Sequence, residues 1–305
     1  MTCRAGEARE GMLTLADGRR IAWREYGDPA GLATLALHGT PGSRLLFAAA
    51  DPAARGQGMR LIAPDRWGYG RTDPHRAPGL PAFSDDMARV ADHLGLDRFA
   101  VLGVSGGGPF AAAVAALQSD RVTAAALVAP VGPIVGEPER ALGQFHRFCF
   151  GPLARSRWGL AAVFRPFRRL MLGAPRAGLA LAMARVPAVD RGILQADGVS
   201  QRLQRAFVEG LSPGVEGPLT DMTLFGRPWN LPLERAVDVP ARLWLGERDR
   251  SIPLAAARRL AGRLPHCDVV AMNEEGHLWV ARNYQVILEW IAQARRAQAG
   301  ARPPK

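Results

Sequence analysis

The pentapeptide Gly103-Val104-Ser105-Gly106-Gly107 constrains the fold of this 305-residue chain more than any other stretch of its sequence. It follows the apolar run Phe99–Leu102 and precedes an alanine-rich segment, an order that predicts a strand, a sharp turn and a helix. Glycines around the serine let the backbone turn without clashes, and such a turn lifts the serine Oγ clear of the sheet. Ser105 is therefore a candidate nucleophile.

Two later residues can activate this serine, and each follows a strand-like run near the end of the chain. Asp249 and His277 both lie in short glycine-containing loops. Because ligand sites in open parallel sheets form at the carboxyl ends of strands, we expect the three side chains to meet at one edge. Histidine takes the serine proton, and a carboxylate fixes the imidazole tautomer. The sequence predicts Ser105 as nucleophile, His277 as base and Asp249 as orienting acid, with Glu247 as the alternative acid.

Two further motifs come earlier in the chain, each after a strand-like run: His38-Gly39-Thr40-Pro41-Gly42 and Asp65-Arg66-Trp67-Gly68-Tyr69-Gly70. With all four motifs in this order, the chain resembles the α/β-hydrolase superfamily, in particular its capped serine hydrolases, from about Leu13 to Ile291. The resemblance implies that the backbone N–H groups of Thr40 and Gly106 bind the oxyanion, and that the peptide before Pro41 is cis. We interpret the Asp65-Arg66 pair as a loop brace.

The predicted fold class is α/β, with a mostly parallel central sheet flanked by helices. Strand-like runs are Ile21–Tyr26, Thr34–Leu37, Leu61–Pro64, Phe99–Val104, Thr123–Val128, Ala241–Leu245 and Asp268–Met272. Helical spacing of apolar residues marks a helix around Phe83–Leu94 and a final helix around Val286–Ala294. We expect a core of residues 12–132 and 215–296, a helical cap of residues 133–214 inserted after the sixth strand, and flexible tails at 1–11 and 297–305.

The predicted cap is strongly basic, which bears on the substrate. Between Pro133 and Pro213 it holds twelve arginines against five acids, interleaved with phenylalanine, tryptophan and leucine. In one interpretation the apolar side chains pack the cap on the core while the arginines are solvated. In the other, the cap covers a small to medium hydrophobic acyl substrate and one or two arginines hold its anionic group. The same surface suggests, more weakly, contact with a membrane surface.

Composition excludes several function classes. There is no run of 18 apolar residues to span a bilayer, and the first ten residues lack the apolar segment of a secretory signal, so we expect a cytoplasmic protein. Cys3, Cys149 and Cys267 have neither disulfide-framework nor zinc-site spacing, and we expect no metal. The glycine-rich turn lacks G-x-G-x-x-G, so no nicotinamide or flavin cofactor is expected. The net charge of +11 comes from scattered arginines, so we expect no nucleic-acid partner.

These patterns favour a serine hydrolase that cleaves a carboxylic ester, thioester or lactone through an acyl-enzyme. Two alternatives use the same three residues. The His38–Gly42 motif is similar to that of proline iminopeptidases, which favours an aminopeptidase, and the overall layout is similar to carbon–carbon bond hydrolases, although Gly106 replaces their usual methionine. An alternative of another class is a ligand-binding receptor that keeps the fold without turnover.

Overall fold

The computed structural model describes residues 9–135, 144–196 and 198–301, and within them a single eight-stranded sheet lies between layers of helices. The strands are β1 (Glu10–Thr14), β2 (Arg20–Gly27), β3 (Leu32–Leu37), β4 (Met59–Pro64), β5 (Phe99–Val104), β6 (Val122–Val128), β7 (Ala241–Gly246) and β8 (Cys267–Met272). Their order across the sheet is β1-β2-β4-β3-β5-β6-β7-β8. The β2 strand is antiparallel to β1 and β4, and the other pairs are parallel.

Helices connect the parallel strands and cover the sheet. They are α1 (Asp51–Gly56), α2 (Leu80–His93), α3 (Gly108–Leu117), α4 (Gln144–Phe150), α5 (Pro152–Arg155), α6 (Arg157–Gly173), α7 (Pro175–Ala182), α8 (Ala188–Leu194), α9 (Val199–Leu211), α10 (Glu216–Phe225), α11 (Leu254–Gly262) and α12 (Tyr284–Ala301). Shorter 3₁₀ helices span Arg44–Ala50, Ser105–Gly107, Leu233–Arg235 and His277–Arg282.

The central strands are rich in apolar residues, as expected for a sheet that is buried on both faces. Alternate residues of a strand pack into different apolar cores. Leu35 and Leu37 pack into a cluster with α2, α3 and α11, whereas Ala36 packs into the opposite cluster with α1 and α12. Side chains that alternate across a strand produce this division. The central strands are therefore held rigidly between two apolar layers.

Strand register brings the strand ends that carry the motifs to one edge of the sheet. Leu37 of β3 pairs with Gly103 of β5, and the last residues of β7 and β8, Gly246 and Met272, pair with each other. All of these pairs are parallel, so the loops that follow them emerge on the same side. This edge is the carboxyl edge of the sheet, and Ser105 lies on it.

Among the described residues, helices α4 to α10 lie between β6 and β7, and we call residues 144–225 the helical insertion. Its apolar side chains form a cluster of their own that includes Met171, Leu179, Ile193 and Phe207. Leu278, from the loop after β8, belongs to the same cluster. The helical insertion thus packs directly against the carboxyl edge of the sheet.

The structure confirms the α/β-hydrolase fold and all seven predicted strands, and it adds β1. The two ends of the predicted cap, at residues 133 and 214, remain predictions. Regular structure extends further than expected into the predicted tails, because Glu10 of β1 forms ion pairs with Arg24, Arg44 and Arg71, and because Gln298 of α12 accepts a hydrogen bond from Arg98.

Some predictions fall on residues 1–8, 136–143, 197 and 302–305, which lie outside the described residues. They include the outer parts of both predicted tails and three of the five acids counted in the cap: Glu137, Glu139 and Asp197. None of the helices that the structure describes is long and apolar enough to cross a bilayer.

Candidate active site

Ser105 occupies the turn directly after β5, and its backbone has a φ of +53°. A positive φ is uncommon for a residue with a side chain and costs on the order of 1–2 kcal/mol, so the surroundings must enforce it. The backbone around this turn is closely packed: a Cβ on Gly103 would lie 2.6 Å from Ala111 Cβ, and one on Gly107 would lie 2.8 Å from the His38 carbonyl oxygen. The G-x-S-x-G pattern is thus explained by close backbone packing around a half-buried serine.

His277 and Asp249 meet Ser105 from the loops after β8 and β7. The Ser105 Oγ lies 3.0 Å from His277 Nε2, and His277 Nδ1 lies 2.6 Å from Asp249 Oδ2. The other Asp249 oxygen, Oδ1, accepts the backbone N–H of Ser251 at 2.7 Å. The three predicted residues therefore form one hydrogen-bonded chain. The alternative acid, Glu247, instead forms an exposed ion pair with Arg258.

The surroundings of His277 favour its protonated form. Burial of the imidazole lowers its pKa, but the charge of Asp249, the hydrogen bond to Asp249 and the charge of Asp190 together raise the pKa above its ordinary value. An imidazole in this position binds a proton more strongly than one in water and can hold the proton that a serine releases.

Thr40 and Gly106, the two residues with the predicted backbone donors, lie close together next to Ser105. A Cβ on Gly106 would lie 3.1 Å from the Thr40 backbone nitrogen, and one on Gly39 would lie 3.7 Å from the Ser105 Oγ. The peptide between Thr40 and Pro41 is cis, as the resemblance implied. The loop after β3 thus places the Thr40 N–H close to the start of α3.

A buried ion pair between Arg66 and Asp221, which no local sequence pattern predicts, lies behind this loop. The Arg66 guanidinium donates to both carboxylate oxygens of Asp221 in α10, and the Tyr69 hydroxyl and the Thr40 hydroxyl donate to the same carboxylate. Both charged side chains are almost fully buried. Arg66 also donates to the carbonyl oxygens of His38 and Gly39. The pair therefore fixes the loop that carries Thr40.

His38 helps to hold the loop that carries Thr40, and its two ring nitrogens bond to backbone groups and not to Ser105. Its Nε2 accepts the backbone N–H of Arg66, and its Nδ1–H donates to the Gly39 carbonyl. Burial, followed by the charge of Arg66, lowers the pKa of His38 well below its ordinary value, which keeps the ring neutral. Asp65 braces the next part of the loop by accepting the backbone N–H groups of Arg44 and Arg71. The bracing interpretation of Asp65 and Arg66 agrees with these contacts.

Some of the described arginines of the helical insertion contact its own backbone or its own acids. Arg168 donates to the carbonyl oxygens of Leu211 and Ser212, and Arg157 forms an ion pair with Glu216. An arginine contact to an anionic substrate group stays a prediction. In the part of the chain that the structure describes, no group of three or more His, Cys, Asp or Glu side chains is placed to hold a metal ion.

A groove of about 580 Å³ lies elsewhere, at the amino-terminal ends of β7 and β8. Pro240, His266, Asp268 and Trp290 are among its lining residues. These strands run from the groove toward Asp249 and His277, so the groove and Ser105 lie at opposite edges of the sheet. The hydrogen-bonded chain at Ser105, and not this groove, is the candidate active site.

A mostly parallel sheet with a serine turn at its carboxyl edge and helices inserted after β6 places the protein in the class of α/β-hydrolase folds. The sequence profile of the family described as alpha/beta hydrolase fold matches residues 35–280. The chain therefore belongs to the α/β hydrolase family.

Individual relatives have different activities. A non-heme haloperoxidase from Rhodococcus erythropolis is 28% identical over 266 residues, covering 82% of this chain and 85% of the relative. A probable proline iminopeptidase from Streptomyces coelicolor is 37% identical over 108 residues, and the match spans only about a third of each chain (32%). Among solved structures, an alpha/beta hydrolase fold protein from Nakamurella multipartita has a TM-score of 0.69 at 25% identity, covering 95% of this chain and all of that one.

Proposed function

We propose that the protein is a serine hydrolase that cleaves a carboxylic ester, thioester or lactone through an acyl-enzyme. The observation that carries the proposal is the hydrogen-bonded chain from Ser105 Oγ through the His277 imidazole to Asp249 Oδ2. It has the geometry in which histidine deprotonates serine while a carboxylate stabilises the imidazolium.

In the first half of the proposed reaction, Ser105 Oγ attacks the acyl carbon and its proton passes to His277 Nε2. The carbonyl oxygen becomes an oxyanion, which the N–H groups of Thr40 and Gly106 stabilise. Each such donor contributes roughly 3 kcal/mol to transition-state stabilisation. The tetrahedral intermediate collapses when His277 gives its proton to the leaving alcohol or thiol, and the acyl group stays on Ser105.

In the second half, a water molecule takes the place of the leaving group. His277 removes a proton from this water as its oxygen attacks the acyl carbon, and the same two N–H groups stabilise the second oxyanion. Collapse breaks the bond to Ser105 Oγ, which recovers its proton from His277. The products are a carboxylic acid and the free enzyme, so each turnover consumes one water and no cofactor.

An aminopeptidase is the second candidate, because the proline iminopeptidase relative shares part of this sequence. The charges of the helical insertion favour the ester. The resemblance implies that iminopeptidases bind the substrate ammonium through cap carboxylates, but the described carboxylates of the insertion already have partners. Glu209, Glu216 and Asp221 pair with arginines, and Asp190 accepts backbone N–H groups.

Labelling with a fluorophosphonate probe tests the proposal. We expect the wild-type protein to be labelled at Ser105 and the Ser105→Ala variant to be unlabelled, with kcat for an ester lowered by about 10⁶-fold. The matched control is Ser119→Ala, which removes a hydroxyl beyond the opposite end of α3 and should leave labelling and kcat unchanged.

A panel of p-nitrophenyl esters and aminoacyl anilides, assayed on the same samples, separates the candidates. Hydrolysis of esters alone supports the esterase, and faster hydrolysis of the anilides supports the aminopeptidase. Absence of labelling in folded wild-type protein would overturn the proposal in favour of a ligand-binding member of the family.

A further inference from the structure

Asp190, in α8 of the helical insertion, is bound to the backbone of the loop that carries His277. Its Oδ2 accepts the His277 N–H at 2.9 Å, and its Oδ1 accepts the Leu278 N–H at 2.9 Å. The residue is completely buried, with 0% of its surface exposed. A buried carboxylate that uses both oxygens on two successive N–H groups holds that backbone in one position.

Asp190 accepts hydrogen bonds from backbone N–H groups at the start of the short helix His277–Arg282. The first N–H groups of a helix have no partner within it, and the N-cap residue here is Gly276, which has no side chain to supply one. Asp190 supplies the acceptor from a distant part of the chain. The negative carboxylate also suits the positive end of the helix dipole.

The close approach of α8 depends on Gly276. A Cβ at this position would lie 2.5 Å from Asp190 Cγ, so any larger residue would push the two segments apart. On the other side of the contact, Leu278 packs into the apolar cluster of the insertion together with Ile193 of α8. Hydrogen bonds and apolar packing therefore attach the His277 loop to the helical insertion.

The charge of Asp190 also acts on the imidazole. Among the described residues, Asp249, from the loop after β7, and Asp190, from α8, carry charges that raise the pKa of His277. Both favour the imidazolium. Asp190 is in turn influenced by His277 and Asp249, and its burial raises its pKa above the ordinary value despite the two N–H groups that lower it.

We propose that Asp190 is a positioning residue for His277: it fixes the backbone of the base and makes the alignment of the base with Ser105 depend on the helical insertion. The inference rests on the proposed serine-hydrolase function, which it deepens. Asp190 touches no reacting atom and acts only through the backbone and charge that it provides to His277.

The pH profile of Asp190→Asn tests this role. Asparagine keeps the size of the side chain, but its NH₂ group cannot accept the second N–H, and the charge is lost. We expect kcat to fall about tenfold or more with little change in KM. The acidic limb of kcat/KM should move to lower pH, because loss of a nearby negative charge lowers the pKa of His277. The matched control is Glu274→Gln, which removes an exposed charge three residues from His277 and should leave the profile unchanged.

Two further measurements test the role of Asp190 even if the variants have low activity. A nitrogen-15 NMR titration of the histidine rings, with His277→Gln to assign the signal, reports the pKa of His277 without turnover. Gly276→Ala, which retains the charge but separates α8 from the loop, should reproduce the loss in kcat. An unchanged His277 pKa together with wild-type kcat in Asp190→Asn would overturn the inference. Absence of turnover in the wild type counts against the proposed function alone, and the titration then decides the role of Asp190.

Discussion

At the scale of single residues, the candidate site depends on glycines, which have no side chain. Gly103 and Gly107 let β5 turn sharply enough to hold Ser105 at its positive φ, and Gly106 lets the Thr40 loop approach the serine. A side chain at any of these positions would overlap its neighbours. Since the proposed oxyanion donors are backbone N–H groups, substitutions other than proline leave the N–H itself in the chain, and the placement of the donors is tested through the glycines.

Gly106→Ala tests the placement of Thr40. The new methyl would lie 2.9 Å from Thr40 Cβ and would overlap its hydroxyl, so the loop must shift and the Thr40 N–H must leave its position. We expect kcat for an ester to fall by about 10²–10³-fold, the loss typical of one oxyanion donor. Steady-state kinetics measures this. Gly56→Ala, where a methyl meets no atom within 4 Å, is the matched control and should retain full activity. Full activity of Gly106→Ala would contradict the assignment of the two donors.

At the scale of elements, strands were predictable where both faces are buried. The runs that become β3, β5 and β6 are almost entirely apolar, because helices cover both sides of the sheet. The β1 strand has no fully buried residue and lies at the sheet edge, so its sequence shows no apolar run to detect. Ser105, Asp249 and His277 were predictable because each lies in a local motif after a strand.

The contacts that hold the loops of the site in place were not predictable, because they join elements that are distant in the sequence. Arg66 and Asp221 are 155 residues apart, and Asp190 is 87 residues from His277. Neither aspartate belongs to a local pattern, and on a helix an acidic residue is ordinarily solvated. Only the packing of α8 and α10 on the carboxyl edge of the sheet turns these residues into partners of the motif loops.

Asp221→Asn tests how strongly α10 is attached to the Thr40 loop. The substitution leaves the Arg66 charge buried without its counter-ion, which we expect to lower the free energy of unfolding by about 3–5 kcal/mol. Urea denaturation measures the loss. The matched control is Asp85→Asn, an exposed position in α2, where a change within about 0.5 kcal/mol is expected. A loss below about 1 kcal/mol for Asp221→Asn would show that this pair is not what holds the loop.

At the scale of the whole molecule, the dominant property is a positive charge. The chain has a net charge of +11, and the insertion contributes to it through arginines that outnumber acids. Summed over the surface, such a charge attracts anions over several ångströms, beyond the reach of any single contact. The field acts on the rate at which substrates arrive, even when no arginine touches them.

We therefore expect the protein to favour anionic esters at low salt. For two esters of equal length, one carrying a carboxylate and one neutral, kcat/KM of the anionic ester should be at least several-fold higher at low ionic strength and should fall as salt is added. The neutral ester serves as the internal control, with a salt dependence close to zero. Equal values for the two esters at low salt would exclude electrostatic selection of the substrate.

The separation of Ser105 and His277 by 172 residues also has a consequence for the synthesis of the protein. At about 5–20 residues per second, a ribosome needs roughly 10–35 s to proceed from the serine codon to the histidine codon. During that interval the growing chain carries a serine without its base, and for most of the interval Asp249, the orienting acid, is missing as well. On the proposed mechanism, we expect the nascent polypeptide to gain activity toward esters only after its last strands have been translated, and a product that terminates before residue 277 to be inactive.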